Sequence, residues 1–164
     1  EFPGIATVQI IFNIFRQRPK ELFFPLAQKR DIGILARLPL ASGLLSGKIT
    51  KDTQFAPDDH RSYNRHGEQF DRGETFSGVD FEVALDAVEK VRQVVPANVN
   101  MAAFALRWVL EFPEVSCVIP GARNDRQVIE NIKAAELPVL TSAQMEALTR
   151  IYDDQIRALV HQRW

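Results

Sequence analysis

Three short apolar runs, Val8–Ile14, Ile34–Leu38 and Val115–Ile119, are rich in β-branched residues and are separated by stretches of helical periodicity. Strands alternating with helices dictate a parallel sheet, since parallel neighbours are joined by crossovers and crossovers lay helices on the sheet. Such a sheet is stable only when both faces are covered, either doubly wound or closed into a barrel. A complete eight-unit barrel takes about 250 residues, whereas these 164 residues supply strands for only three units. The pattern predicts one α/β domain, residues 1–164, that amounts to part of a barrel and needs a complement. That complement would be an upstream half, a second copy or an exchanged element.

The intervening segments are legible from their spacing. Pro19 to Arg30 carries Leu22, Phe23, Leu26 and Ala27 at helical intervals, with Pro25 confined to a first turn or a kink. Val79 to Val95 forms one apolar stripe ended by Pro96, Asn100 can cap a helix from Met101 to Glu111, and another helix is expected from about Asp125 to Ala135. Thr141-Ser142-Ala143-Gln144 has the form of a capping box opening a terminal helix with Leu148, Ile151 and Tyr152 on one side. Residues 49–78 show no sustained period, only mixed charge interleaved with Phe55, Tyr63, Phe70 and Phe76. An irregular stretch of that length is expected to be a covering loop, and its spaced aromatics expect something to pack on.

Charge and cysteine usage narrow the partners. Twenty basic against twenty-one acidic side chains leave a formal net charge of -1, so no global field is available to hold a phosphate backbone or an anionic membrane. Neither nucleic acid nor membrane is expected as a partner. Cys117 is the single cysteine, no spacing suggests zinc or another metal, and a reducing, cytoplasmic setting follows. Cys117 itself reads as a small core residue, and His60 and His66 as solvated histidines. No apolar run nears the roughly 20 residues of a membrane span, and Glu1-Phe2-Pro3 opens nothing like a cleavable leader.

Three clusters follow the carboxyl ends of strands or face inward from one, where parallel α/β folds place their sites. After the second strand, Arg37 precedes Pro39-Leu40-Ala41-Ser42-Gly43-Leu44-Leu45-Ser46-Gly47-Lys48. Small residues there would let backbone amides approach a phosphate, with Lys48 as a point charge. An ordinary strand exit with a solvated lysine fits equally. After the third strand, Gly121-Ala122-Arg123-Asn124 opens a helix whose amides and Arg123 would suit an anion such as a ribose 2′-phosphate. Alternatively, Asn124 is the N-cap and Gln127 its reciprocal partner, while Gln127, Glu130 and Asn131 form a plain polar stripe. In the first strand Gln9 and Asn13 share a face with Ile11, as ligand amides or as core amides bonded to backbone.

In order and spacing these clusters resemble the carboxyl-terminal part of the aldo-keto reductases. The likeness runs from about Val8 to Leu140 through Val-Gln-x-x-x-Asn, Pro-Leu-Ala-Ser-Gly-Leu-Leu-Ser-Gly-Lys, and Ala-Leu-Arg-Trp-Val-Leu followed by Val-Ile-Pro-Gly-Ala-Arg and Glu-Asn. The resemblance implies a (β/α)₈ TIM-barrel type fold, present here as about three units plus a terminal helix, and NADP(H) as cofactor. It implies that Gln9 holds the nicotinamide carboxamide and that Arg37 stands where an aromatic ring commonly stacks on the nicotinamide. Leu38, Pro39, Leu40, Ala41 and Ser42 would line the pyrophosphate with Lys48 as its cation, and Arg61 would belong to the loop covering the cofactor. Gly121, Arg123, Gln127, Glu130 and Asn131 resemble the adenosine and 2′-phosphate site.

The family's catalytic Asp, Tyr, Lys and His lie on earlier strands, so no catalytic residue is expected in this chain. The resemblance implies the NADP(H)-binding portion of an enzyme that reduces aldehydes or ketones to alcohols, acting on a small carbonyl substrate only in its complete form. A cofactor-holding sensor or regulatory subunit, or an interaction module, is the alternative.

Overall fold

β1 (Thr7–Ile11), β2 (Gly33–Arg37) and β3 (Val115–Ile119) form one parallel sheet in that order in the computed structural model, which describes residues 4–163. Glu1-Phe2-Pro3, read above for a leader, lie outside the described residues. Gln9 pairs with Leu35 and Ile11 with Arg37, while Arg37 pairs in turn with Ile119. Between Ile34 and Leu35 the β2–β3 register shifts by one residue: Val115 faces Ile34, yet Cys117 faces Leu35. Ser116 is the extra residue of this bulge, and its hydroxyl accepts the Ile34 N–H at 3.2 Å.

One face of the sheet builds the core. Ile34 and Ala36 are fully buried there, in a core shared with helices α1 (Phe23–Lys29), α3 (Phe81–Val94) and α4 (Met101–Val109). Phe12, just past β1, stacks on Trp108 of α4 with centroids 5.1 Å apart and meets Phe24 and Phe112 edge-on at 4.7 and 4.9 Å. Aromatic rings packed in these geometries give more than their buried area alone. The opposite face is open: Gln9, Cys117 and Ile119 are exposed. The expectation that Cys117 is a core residue is therefore corrected, because the Ser116 bulge turns it to the uncovered side.

Helix boundaries follow their caps. Pro25 falls in the first turn of α1, where its missing N–H breaks no helical bond. Asp80 caps α3, and the Asn100 side chain accepts the Ala102 and Ala103 amides to open α4. α5 (Asp125–Lys133) follows β3, and the Thr141–Gln144 capping box opens α6 (Ser142–Ile151). α6 runs through a π-helical turn at Tyr152–Ile156 into α7 (Arg157–Val160). Among the described residues no helix is long and apolar enough to cross a membrane.

The 49–78 stretch is less irregular than its sequence suggests. It contains α2 (His60–Tyr63) and two single turns, Arg72–Glu74 and Phe76–Gly78. Two of its aromatics pack as expected: Phe55 and Phe76 lie 5.9 Å apart and Phe76 and Phe81 5.1 Å, with the Arg61 guanidinium 4.5 Å over Phe55, whereas Tyr63 and Phe70 meet edge-on at the surface and are exposed. Hydrogen bonds and ring packing replace the helical periodicity that such a segment lacks.

Candidate functional site

A cleft of about 590 Å³ lies at the carboxyl ends of β2 and β3, within the size range of small-molecule sites. Its floor is Leu38, Pro39, Leu40, Ser42 and Gly43, one wall is Asp58 to Arg61 with Tyr63, and the other is Ile119, Gly121, Ala122, Arg123 and Gln127. The floor is a run of unusual backbone. Leu38, Ala41, Ser42 and Gly43 have φ of 51°, 48°, 57° and 97°, a left-handed conformation that costs non-glycine residues on the order of 1–3 kcal/mol each and gathers at functional sites. The turn is held from two sides. Asn13 Nδ2 donates to the Leu38 carbonyl at 2.8 Å, and the Ser42 hydroxyl donates to the Glu74 carbonyl at 3.1 Å while accepting the Phe76 N–H at 3.0 Å.

On the first wall Asp59 caps α2 and grips Arg61. Its Oδ1 accepts both the Arg61 backbone N–H and Nε at 2.9 Å, and its Oδ2 accepts Nη2 at 2.6 Å. Hydrogen bonds from the Arg61 side chain hold the Asp59 carboxyl down to about 2 against an ordinary 3.8. The remaining Nη1 donates to the Ser42 carbonyl at 3.4 Å. Arg61 is thereby neutralised and committed to fastening the wall to the floor.

On the other wall the strand-to-helix turn bonds to itself. Asn124 Oδ1 accepts the Gln127 N–H at 3.0 Å, as an N-cap should, but Gln127 Oε1 reaches one residue further back and accepts the Arg123 N–H at 2.6 Å. Asn131 Nδ2 donates to the Gly121 carbonyl at 3.3 Å, and Glu130 lies 3.7 Å from Arg126 in an exposed ion pair. The Arg123 guanidinium is exposed at the cleft and makes no ion pair among the described residues.

The structure brings Leu38, Pro39, Leu40, Ser42, Arg61, Gly121, Arg123 and Gln127 to one cleft from three parts of the chain. Ala41 is buried beneath the floor. Lys48, Glu130 and Asn131 are outside the lining: Lys48 is exposed beyond the Gly47 turn, and Asn131 acts on the Gly121 carbonyl from behind. Gln9 and Arg37 stand on the open face of the sheet, Arg37 joined by two hydrogen bonds to Glu74. Asn13 takes the core alternative; it is fully buried and bonded to backbone and to Ser77. Two acidic partners, Asp59 and Glu74, escaped the sequence reading. Asp59 precedes the short α2 as an N-cap, a signal that could have been used, while Glu74 lies in an aperiodic stretch that carries none.

Parallel strands covered by helices on one face, with a cleft at their carboxyl ends, define a piece of a (β/α) barrel. The sequence model of the Aldo/keto reductase family matches residues 1–153, and the chain belongs to that family. A protein of Oryza sativa subsp. japonica described as a probable voltage-gated potassium channel subunit beta is 30% identical over 159 residues, covering 90% of this chain and 44% of that protein. An uncharacterized oxidoreductase of Bacillus subtilis, YqkF, is 31% identical over 145 residues, covering 88% and 42% respectively. Among solved structures, the glycerol dehydrogenase from Gluconobacter oxydans superposes with a TM-score of 0.73 at 29% identity, over 92% of this chain and 43% of that one. The chain thus spans less than half the length of these relatives, and its sheet is part of their TIM barrel.

Proposed function

We propose that this chain is the NADP(H)-binding portion of an aldo-keto reductase that reduces aldehydes or ketones to alcohols. The observation that carries the reading is the cleft itself, which gathers Leu38, Pro39, Leu40, Ser42, Arg61 and Arg123 around strained backbone at the carboxyl end of the strands. The residues suit a dinucleotide. Ser42 and Gly43 leave backbone on the floor open to a pyrophosphate, and Arg123 is an exposed cation without an acidic partner among the described residues. Gln9 and Arg37, on the inner face, would meet the nicotinamide, and Arg61, fixed by Asp59, would shape the covering wall rather than neutralise phosphate.

When bound, the cofactor supplies a hydride to the carbonyl carbon. This chain's residues hold and orient it; the group that protonates the carbonyl oxygen comes from the complementary half of the barrel, an N-terminal half of the polypeptide or a second copy. Likeness to proteins described as potassium channel β subunits supports a second reading, a cofactor-holding regulatory subunit. Turnover of an aldehyde panel by the natural protein separates the two.

Arg123→Ala is the direct test. In the natural protein it should weaken NADPH by about tenfold, the equivalent of one lost charge-assisted contact, and leave NADH nearly unchanged. Equal losses for both cofactors would remove the 2′-phosphate assignment.

A further inference from the structure

Arg37 and Glu74 come from distant parts of the chain, the end of β2 and the Arg72–Glu74 turn, and meet in a two-point ion pair. Arg37 Nη1 donates to Glu74 Oε2 at 2.7 Å, and Nη2 donates to Oε1. Glu74 has little freedom to leave. Its carbonyl accepts the Ser42 hydroxyl, and a short way along the chain Ser77 Oγ accepts from Asn13 Nδ2 at 2.9 Å. The turns carrying Glu74 are thereby fastened to the ends of β1 and β2, on either side of Arg37.

Both side chains keep roughly a third of their surface open, 33% for Arg37 and 29% for Glu74. An ion pair a third open to solvent contributes little to stability, so its consequence is better sought in what it does to the guanidinium. Arginine grips anions with its charge and its forked donors. Arg37 has both engaged by a carboxylate, while about a third of its side chain stays open at the carboxyl end of β2.

We propose that Glu74 is a positioning residue that neutralises and orients Arg37, making it a plate against which a nicotinamide ring can lie in either redox state. This rests on the cofactor reading above. The oxidised ring carries a positive charge and the reduced ring does not. A bare guanidinium would therefore repel the oxidised form alone, and the Glu74 carboxylate cancels that repulsion.

The experiment is calorimetric titration of the natural protein and its Glu74→Gln variant with NADP⁺, NADPH and adenosine 2′,5′-bisphosphate, which lacks the nicotinamide. Glu74→Gln keeps the side chain's shape and one hydrogen bond to Arg37. It should weaken NADP⁺ by about tenfold, as expected for two like charges in partly screened contact, with NADPH much less affected and the bisphosphate unchanged. A purely structural role would weaken all three ligands together; that result, or no change, overturns the proposal. If the wild-type protein binds none of the three, the cofactor reading falls and takes this proposal with it. Wild-type binding with an unsplit variant removes this proposal alone.

Discussion

The side-chain amide of Asn13 donates to the Ser77 hydroxyl at 2.9 Å across 64 positions of sequence, and to the Leu38 carbonyl at 2.8 Å, while its oxygen accepts the Phe15 N–H at 2.8 Å. Three segments are pinned at this one fully buried group: the exit of β1, the floor of the cleft and the turn ahead of α3. Ser77 and the neighbouring Phe76 both have positive φ, 58° and 51°, so the turn depends on such anchors to hold a conformation that non-glycine residues disfavour.

Asn13→Ala should therefore destabilise the protein by about 1–3 kcal/mol, the usual cost of leaving buried groups unsatisfied. Urea unfolding of the natural protein measures it. A change below the error of extrapolation would mean that water replaces the amide and that the anchor is dispensable.

Asp59 predicts an acid limb. Its folded carboxyl titrates near 2 instead of 3.8, chiefly through hydrogen bonds from the Arg61 side chain. A depressed carboxyl stabilises the fold fully above its unfolded value, and that contribution is lost as the pH falls toward the folded one. The stability gap between wild type and Asp59→Asn should close as the pH is lowered from about 4 to about 2. A gap that stays constant across this window would contradict the assignment.

Gly47 closes the small-residue turn with φ at 70°, and a Cβ there would lie 2.8 Å from Met101 Sδ and 3.1 Å from the Arg92 guanidinium. Gly47→Ala meets both a disfavoured conformation and a side-chain overlap, so a loss of at least about 1 kcal/mol is expected. Thermal unfolding is the measurement; an unchanged midpoint would show that Met101 and Arg92 yield without cost.

Much of the framework was legible because hydrophobic spacing and caps are local. β3 runs over Val115–Ile119 as its sequence predicts, and Asn100 and the Thr141–Gln144 box open their helices where the residues place them. The misses come from long-range or one-residue effects. β1 stops at Ile11, short of Ile14, since Asn13 leaves the sheet to bond Leu38, Phe15 and Ser77 and bridges Arg16 instead. Cys117 changes face because one residue, Ser116, is inserted into the ladder, and alternation cannot reveal an insertion whose hydrogen-bond partner is on another strand. The cleft's floor and far wall could be nominated from loop composition after strands. Its acidic partners could not, because Glu74 meets Arg37 only through tertiary packing of an aperiodic segment.

The aromatic and aliphatic packing around Phe12, Phe24 and Trp108 lies wholly on the helix side of the sheet, while Gln9, Leu35, Cys117 and Ile119 point away from it. Substitution at those inward positions opens no void among the rings and displaces no helix. Under the proposed reading, preference for a ring lying on this surface would be free to drift while the scaffold stays put, since Gln9, Leu35, Cys117 and Ile119 take no part in the ring packing.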